Sequence, residues 1–452
     1  MNLTDVPETT RKGPQMDVER MKSDYRGVWY CCGTVNLLDG NNHVYSGPMA
    51  TYSAWHRPMA VYAPAVNRTY FVFGNERNAP AIGSYEHDTR TFARPVVLGA
   101  NPDGDAHRNP TLALDDTGRL YVFFGAHNDP TRVLRSERPC ETGAWRECAA
   151  IVDPATSYPQ PYQLLPGEMF VSYRERSSGW RSRVSRSHGE TWEDPVDIVE
   201  FEGNDIYAVS IAETGDYPRR IHLAWSRLGG GSDEEIRTKH LWARRYNIYY
   251  AFSQDGGRTW RRSDGGLYKL PVREADAEKL YESGERGVWL KDIQLGPDGR
   301  PLILFIEADP FTYVSHWKCG RLRGDGWGFS NIAVGDHMYD DGGIVIEDGS
   351  VTVYAPTTAS QPGEDGGEID VWRSADGDGP WKRGEPLTEG SDLSHNNVKV
   401  VFNHEAGPGD MQVTWSYGDS VSPPSTAESR LFAYGRNMER PRLIRSARAT
   451  PA

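Results

Sequence analysis

The 452-residue chain predicts an all-β fold, a single seven-bladed β-propeller, and three observations carry that expectation. The first is a recurring turn. Ser253-Gln-Asp255-Gly-Gly257-Arg-Thr259-Trp260 is a complete S-x-D-x-G-x-T-W motif, a hairpin turn in which the Asp accepts backbone amides while the Trp packs beneath it. Ser187-His-Gly189-Glu-Thr191-Trp192 reads as a shortened copy and Ser374-Ala-Asp376-Gly377-Asp-Gly379-Pro-Trp381 as a degenerate one. Their serines lie 66 and 121 residues from one motif to the next, about one and two units of a repeat near sixty. The second is a turn followed by an apolar strand. It appears at Asp116-Thr-Gly118-Arg-Leu-Tyr-Val-Phe-Phe and at Asp298-Gly299-Arg-Pro-Leu-Ile-Leu-Phe, 182 residues apart, or about three units. The third is composition: 47 Gly, 30 Pro, 14 Trp and 23 Tyr, with no apolar run long enough to span a membrane. One small sheet cannot bury both of its faces alone, so a repeat of short strands predicts blades stacked in a ring.

In chain order, residues 1–22 are expected to form a flexible N-terminal tail and residues 23–452 one propeller domain. The apolar strand Arg26-Gly-Val-Trp-Tyr and the late strand Arg430-Leu-Phe-Ala-Tyr are expected to share a closing blade. The first residues lack the apolar core of an export signal, which predicts a cytoplasmic protein, or a secreted or periplasmic one if a leader precedes this sequence. A net charge of −13 argues against nucleic-acid binding, and nothing suggests a membrane partner, so an anionic substrate must meet a local basic patch. Of five cysteines, Cys31 and Cys32 are adjacent, Cys140 and Cys148 flank a short loop, and Cys319 stands apart. The Cys140/Cys148 pair suits a disulfide in an oxidising compartment, but an odd count without a dense framework fits reduced thiols better. Oligomeric state is left open.

Two histidines mark the candidate site. Asp105-Ala-His107-Arg-Asn109-Pro110 precedes a strand-like run that ends in Phe123-Phe-Gly125-Ala-His127-Asn128, so one hairpin would deliver His107 and His127 to the same rim. Imidazole titrates nearest neutrality, which suits proton transfer. The segment Met169-Phe-Val-Ser-Tyr173-Arg174-Glu-Arg176-Ser-Ser-Gly-Trp180-Arg181-Ser-Arg183-Val-Ser-Arg186 then holds five arginines against one glutamate, a basic island in an acidic chain. Such a set suits abstraction of the C5 proton of a uronic acid. A cation holds the carboxylate on which charge develops, a base takes the proton, and an acid protonates the oxygen leaving C4. Without facing carboxylates the set is a poor glycosidase.

The run Tyr45 to Gly74, centred on Thr51-Tyr52-Ser-Ala-Trp55-His56-Arg57-Pro58, together with Asp105-Ala-His107-Arg-Asn109-Pro110, the Asp-box strands, Trp372-Arg-Ser374 and Ser394-His395-Asn396, resembles the BNR-type propeller family that includes ulvan lyases. The resemblance covers nearly the whole chain. It implies a polysaccharide or oligosaccharide lyase cleaving rhamnose–glucuronate-type linkages by β-elimination, with an acidic saccharide as partner and no cofactor for the chemistry. It places base and acid on His107 and Tyr173, and carboxylate neutralisation on His127 and an arginine, Arg186 being the better-spaced match and Arg183 the next. Asn109, Arg174, Arg183 and His56 are expected as substrate contacts. Related propellers hydrolyse the rhamnosyl-α-1,4-glucuronate linkage with a Gln-His pair. Here Trp55 stands where that glutamine would be, so His56 is either the centre of an α-L-rhamnosidase or a buttress of the first blade. A non-catalytic carbohydrate-binding propeller is the third alternative.

His316-Trp-Lys-Cys319 with His337 offers two imidazoles and a thiolate for a structural Zn²⁺, which the resemblance also implies. The fourth ligand is open among Asp336, Asp340, Asp341 and His240, all of which equally suit turns.

Overall fold

The computed structural model describes residues 51–438 and 442–444, apart from 76–78, 103–104, 177–178, 203–204, 216–218, 230–244, 310–313, 359–365 and 419–428. Its strands form seven antiparallel sheets, each built from consecutive strands. The first runs from Ala60–Ala63 through Arg68–Gly74 and Pro80–Glu86 to Thr91–Phe92, with Val96–Val97 also paired to its third strand. The innermost strands of the other six are Thr111–Leu114, Thr156–Gln163, Ile206–Ala212, Gly287–Leu295, Gly343–Glu347 and Ser394–Val400. Each of the first six inner strands packs beside the inner strand of the next blade, and Phe402 bridges the seventh blade to Val61 of the first, which makes the sheets a seven-bladed ring. The blades start 45 to 81 residues apart, which brackets the repeat read from the motifs.

Packing explains the ring. Strands such as Leu120–Phe124 and Pro301–Ala308 are buried on both faces, because a neighbouring blade covers each side. Trp180, Trp225, Trp260, Trp289, Trp317 and Trp415 are all under 2% exposed and fill the space between sheets. Full burial of such large side chains is the main favourable term for the fold. Closure runs between the seventh and first blades, where Phe402 N–H donates to Ala60 O at 2.8 Å and Tyr62 N–H to Phe402 O at 3.0 Å. The expected closing pair needs correction in one half. Arg430–Tyr434 falls in Ser429–Tyr434, the third strand of a seventh blade that its own chain completes with Arg442–Ile444. Residues 26–30 and the expected boundary after residue 22 lie outside the described residues.

The Asp-box turns each begin at the last residue of a third strand, far out on the blade. In the complete copy, Asp255 Oδ1 accepts from Thr259 N–H at 2.9 Å and Oδ2 from the Thr259 hydroxyl at 2.7 Å, while the fully buried Trp260 donates Nε1–H to Gly257 O. The copy read as shortened has full length. Ser185 Oγ accepts from Gly189 N–H at 2.8 Å, as Ser253 Oγ does from Gly257 N–H, so Ser187 occupies the Asp position. Replacing Asp255 by Ala should lower unfolding free energy by about 1–3 kcal/mol, the usual cost of stranding such donors. Urea melts measure it, and kcat on any substrate should stay unchanged because the turn lies on the outer rim.

Cys140, Cys148 and Cys319 are free thiols. The disulfide expected under oxidising conditions is therefore not formed here, and Cys31 and Cys32 lie outside the described residues.

Candidate active site

Five groups of residues meet in an open cleft of about 230 Å³. The first is the segment before the first blade, Thr51 to Arg57, which is tied to four blades. Asn109 Nδ2–H donates to Tyr52 O at 3.0 Å, Gln160 Nε2–H to Trp55 O at 3.1 Å, Lys399 Nζ–H to Ser53 O at 2.7 Å, and Arg57 pairs with Asp292 at 2.7 Å. A segment pinned this way presents Tyr52 and Trp55 to the cleft.

The second part is the histidine pair. Asp105 caps the short turn Ala106–Arg108 by accepting from His107 N–H, which fixes His107 just ahead of the inner strand. After the next strand, Gly125 at φ +82° turns the chain so that His127 returns to the same rim. The two rings stack with centroids 4.2 Å apart and planes 12° apart. Burial opposes ionisation of Asp105, yet the charge and hydrogen bonds of His107 and His127 outweigh it and hold its carboxyl well below the usual range. Burial in turn lowers the His107 pKa, although Asp105 pulls it upward.

The third and fourth parts come from the third blade. Its inner strand carries Ser157-Tyr158-Pro159-Gln160, and the ladder shifts register between Ser157 and Gln160. Proline has no N–H to donate, so the chain bulges there and Tyr158 adopts φ +57°. For a bulky residue this backbone costs about 1–3 kcal/mol, the sort of strain kept where a side chain must be aimed. Arg174, in the paired strand Met169–Glu175, lies over Tyr158 at 4.9 Å and over Tyr207 at 5.1 Å, with Asp205 at 3.7 Å. Burial disfavours its charge, but Tyr207, Tyr158 and Asp205 outweigh that and raise its pKa. Burial also raises the Tyr158 pKa, which keeps the phenol protonated.

The last part is an aromatic floor. Arg245 sits 4.0 Å over Tyr207 and 4.7 Å over Trp55, and Tyr339 completes the lining. The result is a cleft with three guanidinium groups, those of Arg174, Arg176 and Arg245, two imidazoles and several phenols, lined also by Asp205.

The structure brings together only some of the expected residues. His107, His127 and Arg174 line the cleft. Tyr173 does not. Successive side chains of a strand point to opposite faces, so Arg174 in the cleft sends Tyr173 to the other side. There its hydroxyl donates to Asp153 Oδ2 at 2.6 Å, and it packs with Phe123 and Val171 in the core between blades. Arg183 shares that network, 2.8 Å from Asp153. Arg186 is bound to Glu168 and Glu193 at the far end of its strand. Seven residues separate it from the hairpin end at Gly179, about 23 Å at the rise of a strand. Asn109 is 1% exposed and holds Tyr52 instead of lining the cleft.

His56 is fully buried, with Nδ1 accepting from Ser53 N–H at 2.8 Å and Nε2–H donating to His107 O at 2.9 Å. Both nitrogens are used and burial lowers its pKa to about 3, so it buttresses the loop and does not reach a substrate. The expected metal set also comes apart. His316 and Cys319 are three apart in Ser315–Arg323 and point to opposite faces, Cys319 into the core with Trp289 and Leu304. Among the described residues, the His/Cys/Asp/Glu groups with ligand atoms within 4.8 Å are Asp105/His107/His127 and Asp115/Asp116/His188, so His316, Cys319 and His337 do not form one ligand set. His240 lies outside the described residues.

Comparison with known families now adds to this geometry. Residues 51–329 match the model of the BNR repeat-containing family. The chain belongs to that family. Among curated proteins it is 24% identical over 277 residues to the PL25 ulvan lyase of Pseudoalteromonas sp. (strain PLSV), covering 52% of this chain and 55% of that one. It is 22% identical over 371 residues to an ulvan lyase of Nonlabens ulvanivorans, covering 71% and 74%. The chain thus spans about half the length of the Pseudoalteromonas relative. Among solved structures, a PL25 ulvan lyase bound to -[GlcA(1-4)Rha3S]- superposes with a TM-score of 0.73 at 16% identity, over 91% of this chain and 96% of that one. The shared fold is the seven-bladed propeller. Sequence reasoning missed Tyr158, Tyr52, Tyr207, Arg245 and Tyr339 as cleft residues. A signal existed for Tyr158, since prolines at 159 and 161 in an inner strand announce a bulge.

Proposed function

We propose that this protein is a polysaccharide or oligosaccharide lyase that cleaves rhamnose–glucuronate-type linkages by β-elimination. The observation that carries the reading is the convergence of His107, His127, Tyr158 and Arg174 in one cleft. Arg174 holds the uronate carboxylate and stabilises the charge that develops as C5 loses its proton, while the ring of His127 stacks on that of His107. His107 takes that proton. Electrons of the C5–H bond form the C4–C5 double bond, the bond from C4 to the glycosidic oxygen breaks, and Tyr158 supplies the proton to the leaving oxygen. Tyr158 takes the acid role that the family resemblance assigned to Tyr173. The floor of Trp55, Tyr207 and Tyr339 offers apolar faces for neighbouring sugar rings. Relatives described as ulvan lyases support the same chemistry.

Incubation with ulvan oligosaccharides and, separately, with unsulfated rhamnose–glucuronate oligosaccharides tests the reading. The expected product carries a 4,5-unsaturated uronate at the new non-reducing end, seen as rising ultraviolet absorbance. Saturated glucuronate and free rhamnose would establish hydrolysis instead. Tight binding of both saccharides without turnover would make the cleft a carbohydrate-recognition site.

A further inference from the structure

Both imidazoles of the stacked pair face one carboxylate. Asp105 is 3% exposed, its Oδ1 lies 2.6 Å from His107 Nδ1 and 2.9 Å from His107 N, and its Oδ2 meets Nδ1 of His127. An ionised carboxylate only accepts hydrogen bonds, so each Nδ1 must carry a hydrogen. Neutral imidazole has a single N–H, which leaves a lone pair on each Nε2. On His107 that lone pair accepts from the Tyr52 hydroxyl at 3.2 Å, and His127, with a 27% exposed side chain, borders the cleft. The charged and titratable groups around the pair are Asp105, Arg174, Tyr52, Tyr158 and the neutral His56, and a charge on His127 disfavours one on His107. One counter-ion between two rings 4.2 Å apart therefore supports one imidazolium at a time.

We propose that Asp105 is the positioning residue of this site, holding His107 and His127 together as Nδ1–H tautomers so that two basic nitrogens turn toward the saccharide, and balancing the one proton the pair takes up. The catalytic half of this role rests on the elimination chemistry proposed above; the tautomers do not. Asparagine is the informative replacement. Its amide has an acceptor oxygen and a donor nitrogen in place of two acceptors, so it can receive only one of the two Nδ1–H groups. The other ring must present its Nδ1 lone pair to the amide and carry its hydrogen on Nε2, which removes a base from the cleft.

Protein labelled with ¹⁵N-histidine reads this directly through long-range ¹H–¹⁵N correlations near neutral pH, with signals assigned from His107→Gln and His127→Gln samples. The expected wild-type spectrum shows both rings as Nδ1–H tautomers, and Asp105→Asn should switch one of them. On an acidic oligosaccharide, kcat of Asp105→Asn should fall by about 10²–10⁴ with KM within a few-fold, as loss of a correctly held base does. A wild-type spectrum with either ring as the Nε2–H tautomer overturns the proposal whether or not the variant folds. So does an Asp105→Asn protein that keeps both tautomers, or one with wild-type kcat. Wild-type protein that eliminates no uronate substrate defeats the lyase reading, while its spectrum still decides the place of Asp105.

Discussion

Tyr158→Phe is expected to lower kcat for elimination by about 10²–10⁴, while Tyr173→Phe leaves kcat within a few-fold and lowers stability instead. The two tyrosines share one blade but occupy different chemistry. Tyr158 lines the cleft beside Arg174, on a bulge whose backbone is held at φ +57°. Removing its hydroxyl takes away the proton donor without changing the packing of the ring. Tyr173 is fully buried and donates to Asp153, which also pairs with Arg181 and Arg183. Losing that hydroxyl costs a hydrogen bond to a charged group, about 1.5–3 kcal/mol. Steady-state kinetics and urea melts of both variants separate the roles. A Tyr158→Phe enzyme with wild-type kcat, or a folded Tyr173→Phe enzyme without activity, would return the acid to the position the sequence suggested.

The position of Tyr173, outside the cleft, shows what a sequence conceals. Blade number followed from motif spacing because Asp-box turns fall at the same place, the end of a third strand, in each blade that carries one, and their hydrogen bonds are local. His107 and His127 were legible for a similar reason, since one hairpin carries both. The tyrosine was not, because Tyr173 and Arg174 are neighbours in a strand and a one-residue error in register changes the face. Arg245 and Tyr339 were missed for a different reason. They reach the cleft from the fourth blade and from the loop ahead of the sixth, and only the closed ring sets them beside Trp55. His56 was placed beside the chemistry by sequence. The structure makes it a strut between the Tyr52 loop and the turn of His107, because burial leaves it neutral with both nitrogens engaged. The metal set failed through the same strand alternation that misplaced Tyr173.

Acidification from pH 8 to pH 5 is expected to remove much of the stability of the fold through four buried histidines. Burial lowers the pKa of His56 and His395 to about 3, and that of His337 and His404 to about 4. Each ring has a nitrogen that accepts an N–H: from Ser53 N to His56, Trp415 Nε1 to His395, Tyr339 N to His337 and Ile346 N to His404. A proton there would set one donor against another, so the folded rings stay neutral. In the unfolded chain the same rings titrate near 6.5. Below that value the unfolded state binds protons that the folded state refuses, so their contribution is whole above about pH 6.5 and declines as pH falls toward the folded values. At pH 5 each histidine costs about 2 kcal/mol, and four together on the order of 8 kcal/mol, comparable to the whole stability of an ordinary domain. Urea denaturation at pH 8, 7, 6 and 5 measures the slope. His404→Gln, whose amide oxygen can accept the Ile346 N–H, should flatten it by about one proton. An unfolding free energy that stays level from pH 8 to pH 5 would mean that these rings take up protons in the folded protein, and that their N–H contacts give way to let them in.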